Sequence, residues 1–464
     1  MKCRPTTKDA YQLLHDGCMA LADVESHGIK IDLVQLERNI YTTSKRIEKL
    51  TARNTKSDVC KTWKKVFGRS TNFGSRTQLG EVLFSHMGYE CKDEDRTKTG
   101  RPKADEETLS KLDIPFVQQY LKVERLKKAR ATYLRGIQKA TMDGFLHPVF
   151  SLHLVRTYRS SSEAPNFQNI PIRIPWLGKL IRTCFIARPH HQLVEIDYSG
   201  IEVCVSACMH KDPRMIEYIK DPTKDMHRDM AGECYILRTK QVSKDSRFSA
   251  KNGFVFPEFY GDWFNRCARS LWDNITNLHL TLPDGTSLRE HLKNKGINRL
   301  GPCDPKEKPR PGTFEKHIQE VENRFWNERF RVYNQWKQDW FREYQRTGRF
   351  TMATGFTVEG WYGKNDVINY PIQGPAFHCL LWSLIRLNNW LKKKRMRSRI
   401  VGQIHDSIVA DVHKNELEDY LHMANKIMTQ RLPKAWPWII VPLEVEADVS
   451  PVGGSWYDKK EMKI

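Results

Sequence analysis

Two aspartates sit where a chain can hold divalent metal. Asp197 closes the run LVEID, in which Leu193, Val194 and Ile196 read as a strand, and Gly200 opens a helix behind it. Asp406 lies in VGQIHDSIVADV, which reads as a hairpin. Ile400, Val401 and Ile404 form one strand, His405 and Asp406 a tight turn, and Ile408 to Val412 the returning strand. Two strand-end carboxylates on one sheet can hold a pair of ions about 4 Å apart, which clamp the attacking and leaving oxygens of an in-line phosphoryl transfer. Mg2+ suits such a site because it takes one or two carboxylates and fills its shell with water and substrate phosphates. A single aspartate at a strand end is more often a solvated or capping residue, so the pair needs a context.

Five blocks supply one. They are TYRSSSEAPNFQNIPIR (Thr157 to Arg173), DYSGIE (Asp197 to Glu202), RFSAKNGFVFPEFYG (Arg247 to Gly261), NYPIQG (Asn369 to Gly374) and QIHDS (Gln403 to Ser407). In content and order they resemble the family A DNA polymerases, the bacterial polymerase I and phage replicative type. The resemblance runs from roughly Tyr11 to the C-terminus. It implies an α+β, right-hand fold with an antiparallel palm sheet, helical fingers and a helical thumb. Residues 1–150 would be the thumb and its base, 151–212 the first part of the palm, 213–368 the fingers, and 369–464 the second part of the palm. Within the fingers, Thr281 to Gly312 is rich in Pro, Gly and Lys and reads as an inserted surface loop.

The resemblance also assigns roles. Asp197 and Asp406 would ligate two Mg2+ ions, for which Mn2+ can substitute, with the Tyr198 carbonyl as a further ligand. Arg247 and Lys251, four apart and so on one helix face, would hold the triphosphate, where fixed cations stabilise the charge that develops. His227, in DMHRDM, would be a further triphosphate contact. Phe256 and Tyr260 would face the incoming nucleotide, with Glu202 beside Phe256 closing the space near the sugar 2′ position. Arg159, Asn166, Gln168 and Asn169 would touch the minor groove at the primer terminus, where donors check pair geometry without reading sequence. Asn369 and Gln373 would approach the template or primer strand, and His405 the primer end.

Three departures stand out. The family has Phe four residues after the Lys, whereas here Phe256 is five after Lys251, with Pro257 next. A one-residue bulge would return Phe256 and Tyr260 to the Arg247–Lys251 face; a regular helix would put Val255 and Phe259 there instead. Ser407 stands where the family has Glu after His-Asp, a pattern shared with single-subunit RNA polymerases. Glu202 argues the other way, for deoxynucleotides. Asn365 replaces a family Arg one turn before Asn369, which weakens any phosphate grip there.

Bulk properties agree with a polyanionic partner. Lys and Arg number 76 against 55 Asp and Glu, a net charge of +21 that favours counterion release from phosphates. The 11 cysteines include no C-x-x-C pair, and Cys204, Cys208 and His210 lack four-ligand zinc spacing, so they read as reduced thiols. No apolar run of membrane-spanning length and no signal peptide are seen, which leads to an expectation of a cytoplasmic protein, bacterial or in a phage-infected host.

Residues 1–50 read as two helices with a turn at His27-Gly28. Residues 55–135 are polar and basic with helical stretches near Gln78–Met87 and Val117–Tyr133, separated by the loop RTKTGRPKADEE. Lys122, Arg125, Lys127, Lys128 and Arg130 make a basic helix face that is either solvated or in contact with phosphates. The aromatic stripe after Phe314 reads as helix core rather than a base-stacking platform, and Leu391 to Arg399 as a solvated connection.

The expected activity is template-directed addition of dNTPs to a primer on primer-template DNA. The alternatives are a single-subunit RNA polymerase and a catalytically inactive, polymerase-shaped nucleic-acid-binding protein. No acidic pairs of a 3′–5′ exonuclease precede the first block, so no proofreading activity is expected of the chain as it stands. The sequence does not specify an accessory processivity or exonuclease protein.

Overall fold

The computed structural model describes residues 5–91, 95–97, 99–172, 174–304 and 306–464. Lys98, in the basic loop, and Arg173, which closes the first block, lie outside the described residues.

The site is carried by a five-stranded antiparallel sheet. Its strands are β1 (His191–Tyr198), β2 (Arg399–Ile404), β3 (Ser407–His413), β4 (Val445–Val449) and β5 (Lys460–Met462), in spatial order β2-β3-β1-β4-β5. β1 and β3 are central and covered, which is why they read as nearly continuous apolar runs rather than alternating ones. The β2–β3 turn is the expected hairpin, with His405 at φ +49°, a left-handed conformation that His tolerates better than β-branched residues do. Gly402, at the register shift in β2, is pressed against Phe167, and a Cβ there would lie 2.4 Å from the ring.

Helices cover the sheet. The longest, Lys364–Lys393, is buried on nearly all sides and so lacks a strong apolar stripe. It contains Pro371 and Pro375. Pro371 cannot donate to the Val367 carbonyl, and the Trp340 indole takes that acceptor instead, at 3.0 Å. Thr7–His27 packs along this helix and against β2, starting with a Thr6–Asp9 capping box. The His27 ring reaches the Ile400 carbonyl at 2.8 Å. The turn expected at His27-Gly28 is followed by a short strand, Ile29–Ile31, in a separate four-stranded sheet.

Most buried apolar residues form one core, while residues between Val59 and Leu121 have a smaller core of their own. On the basic face, Arg125 pairs with Glu106 at 2.6 Å, Lys127 with Glu124 at 2.8 Å, and Arg130 donates to Ser44 at 3.2 Å. Only Lys122 and Lys128 are exposed there. The aromatic stripe is core, as expected: Phe314, Phe325, Phe330 and Tyr333 are all buried.

The stretch from Thr281 to Gly312 corrects an expectation. It is not a plain surface loop. Leu288–Asn294 is a helix, and Leu282, Leu288, Leu292, Ile297 and Cys303 are buried in the main core. Its Pro and Gly content marks turns, which masked apolar residues one helical turn apart.

Candidate active site

β1 delivers Asp197 at its end, and the β2–β3 turn delivers Asp406 beside it. Ser407 is directly opposite Asp197, and the Tyr198 amide donates to the Asp406 carbonyl at 3.3 Å. Gly200, at φ +63°, then turns the chain into the helix Ile201–His210, which brings Glu202 over the same sheet edge. The two aspartates crowd each other. Burial, then the negative charge of Asp406, pushes the Asp197 carboxyl up to about 7, although part of its side chain reaches solvent. Burial pushes Asp406 up to about 6, against the pull of Arg159. Asp406 Oδ1 is buried without a hydrogen bond, since Arg159 Nη2 stands 3.7 Å away.

A cavity of about 450 Å3 opens beside Asp406. Its walls include Arg159, Glu202, Phe256, Tyr260, Gln373 and His405, with Asn369 and Phe259 also contributing. The opposite wall comes from one helical segment. It begins at Lys244, passes through a π turn at Lys251–Val255, and resumes as Phe256–Phe259. The π turn is the bulge anticipated between Lys251 and Tyr260, and it absorbs the extra residue. Phe256 and Tyr260 thereby face the cavity, while Val255 is fully buried. Phe259 touches the cavity edge but packs mainly on Phe325, Phe330 and Tyr333. Glu258, buried on the opposite side, accepts the Trp326 indole N–H at 2.8 Å and ties the segment to its support.

Glu202 has a different aromatic partner from the one expected. The Tyr260 hydroxyl donates to Glu202 Oε2 at 2.6 Å, and Arg159 Nη1 approaches Oε1 at 3.4 Å. Phe256 instead lies edge-on to His227, at 5.6 Å between centroids, with Lys251 Nζ 5.2 Å from its ring. Burial, then Lys251 and Arg247, lowers His227 to about 4, which leaves it neutral near pH 7 with Nδ1 buried and unpartnered. Arg247 donates to Asp225 at 2.6 Å; among the described residues Lys251 has no carboxylate partner.

The remaining assigned residues divide. Gln168 donates to Gln403 at 2.7 Å, and Gln403 to the His405 carbonyl at 2.6 Å, so Gln168 braces the turn that carries Asp406. Asn166 caps its own short helix by accepting from the Asn169 amide at 3.1 Å, and Asn169 is exposed. Asn369 donates to the Tyr260 carbonyl at 3.2 Å and Asn365 to that of Gly261 at 3.3 Å. These two amides cap the end of the Phe256–Phe259 segment, a use of Asn365 that the missing Arg did not suggest.

Sequence reasoning passed over Asp225, Glu195, Lys459 and Glu446, which lies opposite Asp197 on β4 and accepts from the Ser199 hydroxyl at 2.8 Å. Glu195 was legible in part: it lies two residues before Asp197 and so on the same strand face. Asp225, Glu446 and Lys459 gave no signal, because their partners are distant in sequence.

Comparison with known proteins adds four findings. A profile described as DNA polymerase family A matches residues 42–277 and 356–458. The chain is 27% identical over 387 residues to a DNA polymerase of Bacillus phage SP01, covering 78% of this chain and 37% of that protein. It is 26% identical over 447 residues to DNA polymerase I of Geobacillus stearothermophilus, covering 95% of this chain and 45% of the relative. The chain thus spans less than half the length of these curated relatives. A solved structure, the POL domain of Pol1 from M. smegmatis in complex with DNA primer-template and dNTP, superposes with a TM-score of 0.73 at 24% identity, covering 95% of this chain and 69% of that one. That likeness shows the right-hand fold with its antiparallel sheet. No helix among the described residues is long and apolar enough to cross a membrane.

Proposed function

Because the chain belongs to DNA polymerase family A, we propose that it is a template-directed DNA polymerase that adds dNTPs to a primer 3′-hydroxyl by two-metal phosphoryl transfer. One observation carries the reading. Asp197 and Asp406 lie together where adjacent strands of one sheet end, and Asp406 lines a cavity whose walls also include Phe256, Phe259 and Tyr260. The donor set fits divalent cations, since an orphaned carboxylate oxygen and two carboxyls raised by burial are relieved by positive charge. Asp197, Asp406 and the Tyr198 carbonyl would hold two Mg2+ ions, or Mn2+ in their place. When bound, the ions neutralise charge on the phosphoryl group in transfer.

The chain's own groups do the rest. Arg247 and Lys251 hold the triphosphate and stabilise the departing pyrophosphate, and Asp225 orients Arg247. His227, being neutral, offers a hydrogen bond without added charge. Glu202, fixed by Tyr260 and Arg159, occupies the space a 2′-hydroxyl needs, with Phe256 alongside the base or sugar. Arg159, Asn166, Gln168 and Asn169 line the minor groove at the primer end, His405 approaches its terminus, and Asn369 and Gln373 meet the template or primer strand. In this reading residues 1–150 are the thumb and its base, 213–368 the fingers, and 151–212 with 369–464 the palm.

Ser407 favours a second reading, a single-subunit RNA polymerase. Glu202 opposes it. Primer extension on one DNA template with dNTPs or NTPs separates the two. Extension with dNTPs, lost in Asp197→Ala and Asp406→Ala while primer-template binding persists, is the expected result. Preference for NTPs selects the alternative. Binding with no extension by the wild-type chain would leave an inactive, polymerase-shaped binding protein.

A further inference from the structure

Ser407 leaves a question of charge: what stands where a glutamate at this position would reach? The neighbouring strand answers it. Glu195 lies two residues before Asp197 on β1, on the same strand face, and Ser407 is opposite Asp197 on β3. Ser407 Oγ is 3.1 Å from Glu195 Oε1. It is also 3.0 Å from the Ile404 carbonyl, but the carboxylate is the stronger acceptor for its single proton. The other Glu195 oxygen accepts the Trp456 indole N–H at 2.9 Å and the Lys459 ammonium. Lys459 is only 7% exposed and also lies 3.5 Å from Asp448. Glu195 is therefore a half-buried anion with partners on both of its oxygens. A Glu at 407 would project its carboxylate into this same space, towards the same lysine and indole.

We propose that Glu195 is a positioning residue for the carboxylate pair: it supplies from β1 the carboxylate that the His-Asp-Glu pattern carries on β3, and through Ser407 it fixes the turn that bears Asp406. The chain of contacts is short. Lys459 and Trp456 hold Glu195, Glu195 holds Ser407, and Ser407 follows Asp406 directly. On the far side of the same turn, Gln403 holds the His405 carbonyl at 2.6 Å. Asp406 is thus braced from both sides while its own Oδ1 stays free of hydrogen bonds. Partners behind metal-binding carboxylates orient them, and their loss weakens metal binding without removing a ligand. This inference rests on Asp197 and Asp406 being the metal-binding pair of the proposed polymerase.

The test exchanges the two residues. Glu195→Ser, Ser407→Glu and the double exchange are compared with wild type by thermal unfolding in EDTA and by Mn2+ affinity from electron paramagnetic resonance, without nucleotide. Glu195→Ser leaves the Lys459 side chain, which is only 7% exposed, with Asp448 at 3.5 Å as its remaining carboxylate. It should lower the unfolding midpoint and raise the Mn2+ dissociation constant about tenfold. Ser407→Glu alone crowds two carboxylates onto one lysine and should lower the midpoint in EDTA. The double exchange should recover both properties to near wild type. Losses in the double variant equal to the sum of the singles would overturn the proposal, as would unchanged Mn2+ affinity in Glu195→Ser. Should an exchange variant fail to fold, Ser407→Ala and Glu195→Gln read the same contact with smaller changes: weaker Mn2+ binding in both supports it, and wild-type binding in both refutes it. Coupling without primer extension would remove the polymerase reading and leave this inference standing. Extension without coupling would do the reverse.

Discussion

Asp197 and Asp406 each carry a charge that the surrounding protein opposes. Their carboxyls are raised to about 7 and about 6, above the usual carboxylate value, so protonation favours the metal-free fold. The destabilisation they cause is absent below pH ~4 and grows as pH rises through those values. A divalent ion held between them would cancel it. The rise in unfolding midpoint on adding Mg2+ should therefore increase between pH ~4 and ~7, and Asp197→Asn should flatten the trend. An Mg2+ effect independent of pH in the wild-type chain would contradict this. Glu202 makes a second case at the same scale. Its carboxylate is held by the Tyr260 hydroxyl at 2.6 Å, so removing that hydroxyl should loosen it. Glu202→Ala should raise kcat/KM for NTPs relative to dNTPs, and Tyr260→Phe should do so less strongly. Unchanged sugar discrimination in both variants would show that this pair does not guard the 2′ position.

The Lys244–Tyr260 segment is the element on which the cavity-facing Phe256 and Tyr260 depend. Its π turn at Lys251–Val255 holds one residue more than a regular helix would. Each added residue rotates the downstream part of a helix by roughly 100°, so the π turn is what keeps Phe256 and Tyr260 on the face of Lys251. Deleting Asn252, which is exposed within the π turn, should convert it to regular helix and leave both rings facing the cavity. Single-nucleotide insertion by that variant should stay within about tenfold of wild type. Loss of insertion with folding intact would mean that the bulge does not set the register. Val255 and Phe259 belong to the packing instead. Phe259→Ala should cost about 3 kcal/mol of stability, seen in denaturant unfolding, before it alters sugar choice.

At the scale of the molecule, charge is the dominant property. The net +21 already subtracts ion pairs such as Arg125–Glu106, Lys127–Glu124 and Arg247–Asp225. Only cations that reach the duplex release counterions, so the number of phosphates neutralised should fall short of that figure. Duplex affinity should decline linearly in log–log form with salt, with little dependence on sequence. A flat response would exclude a phosphate-dominated footprint.

Much of this molecule was legible along the chain because the information is local. The alternation and turn around Asp197 and Asp406 specify strand ends. The Lys251-to-Phe256 spacing specifies one residue too many, and the block order specifies the family. Local patterns also misled: Pro and Gly in 281–312 signal turns, but only long-range packing put Leu288 and Leu292 into the core. What the sequence could not supply were partners brought together by tertiary contact. Tyr260 reaches Glu202 across 58 positions and Lys459 reaches Glu195 across 264, separations at which no periodicity operates. Residue types and short-range spacing determined which chemistry this chain can attempt. The fold alone decided which side chain holds which, because a hydrogen bond depends on distances of about 3 Å in space and not on position in the chain.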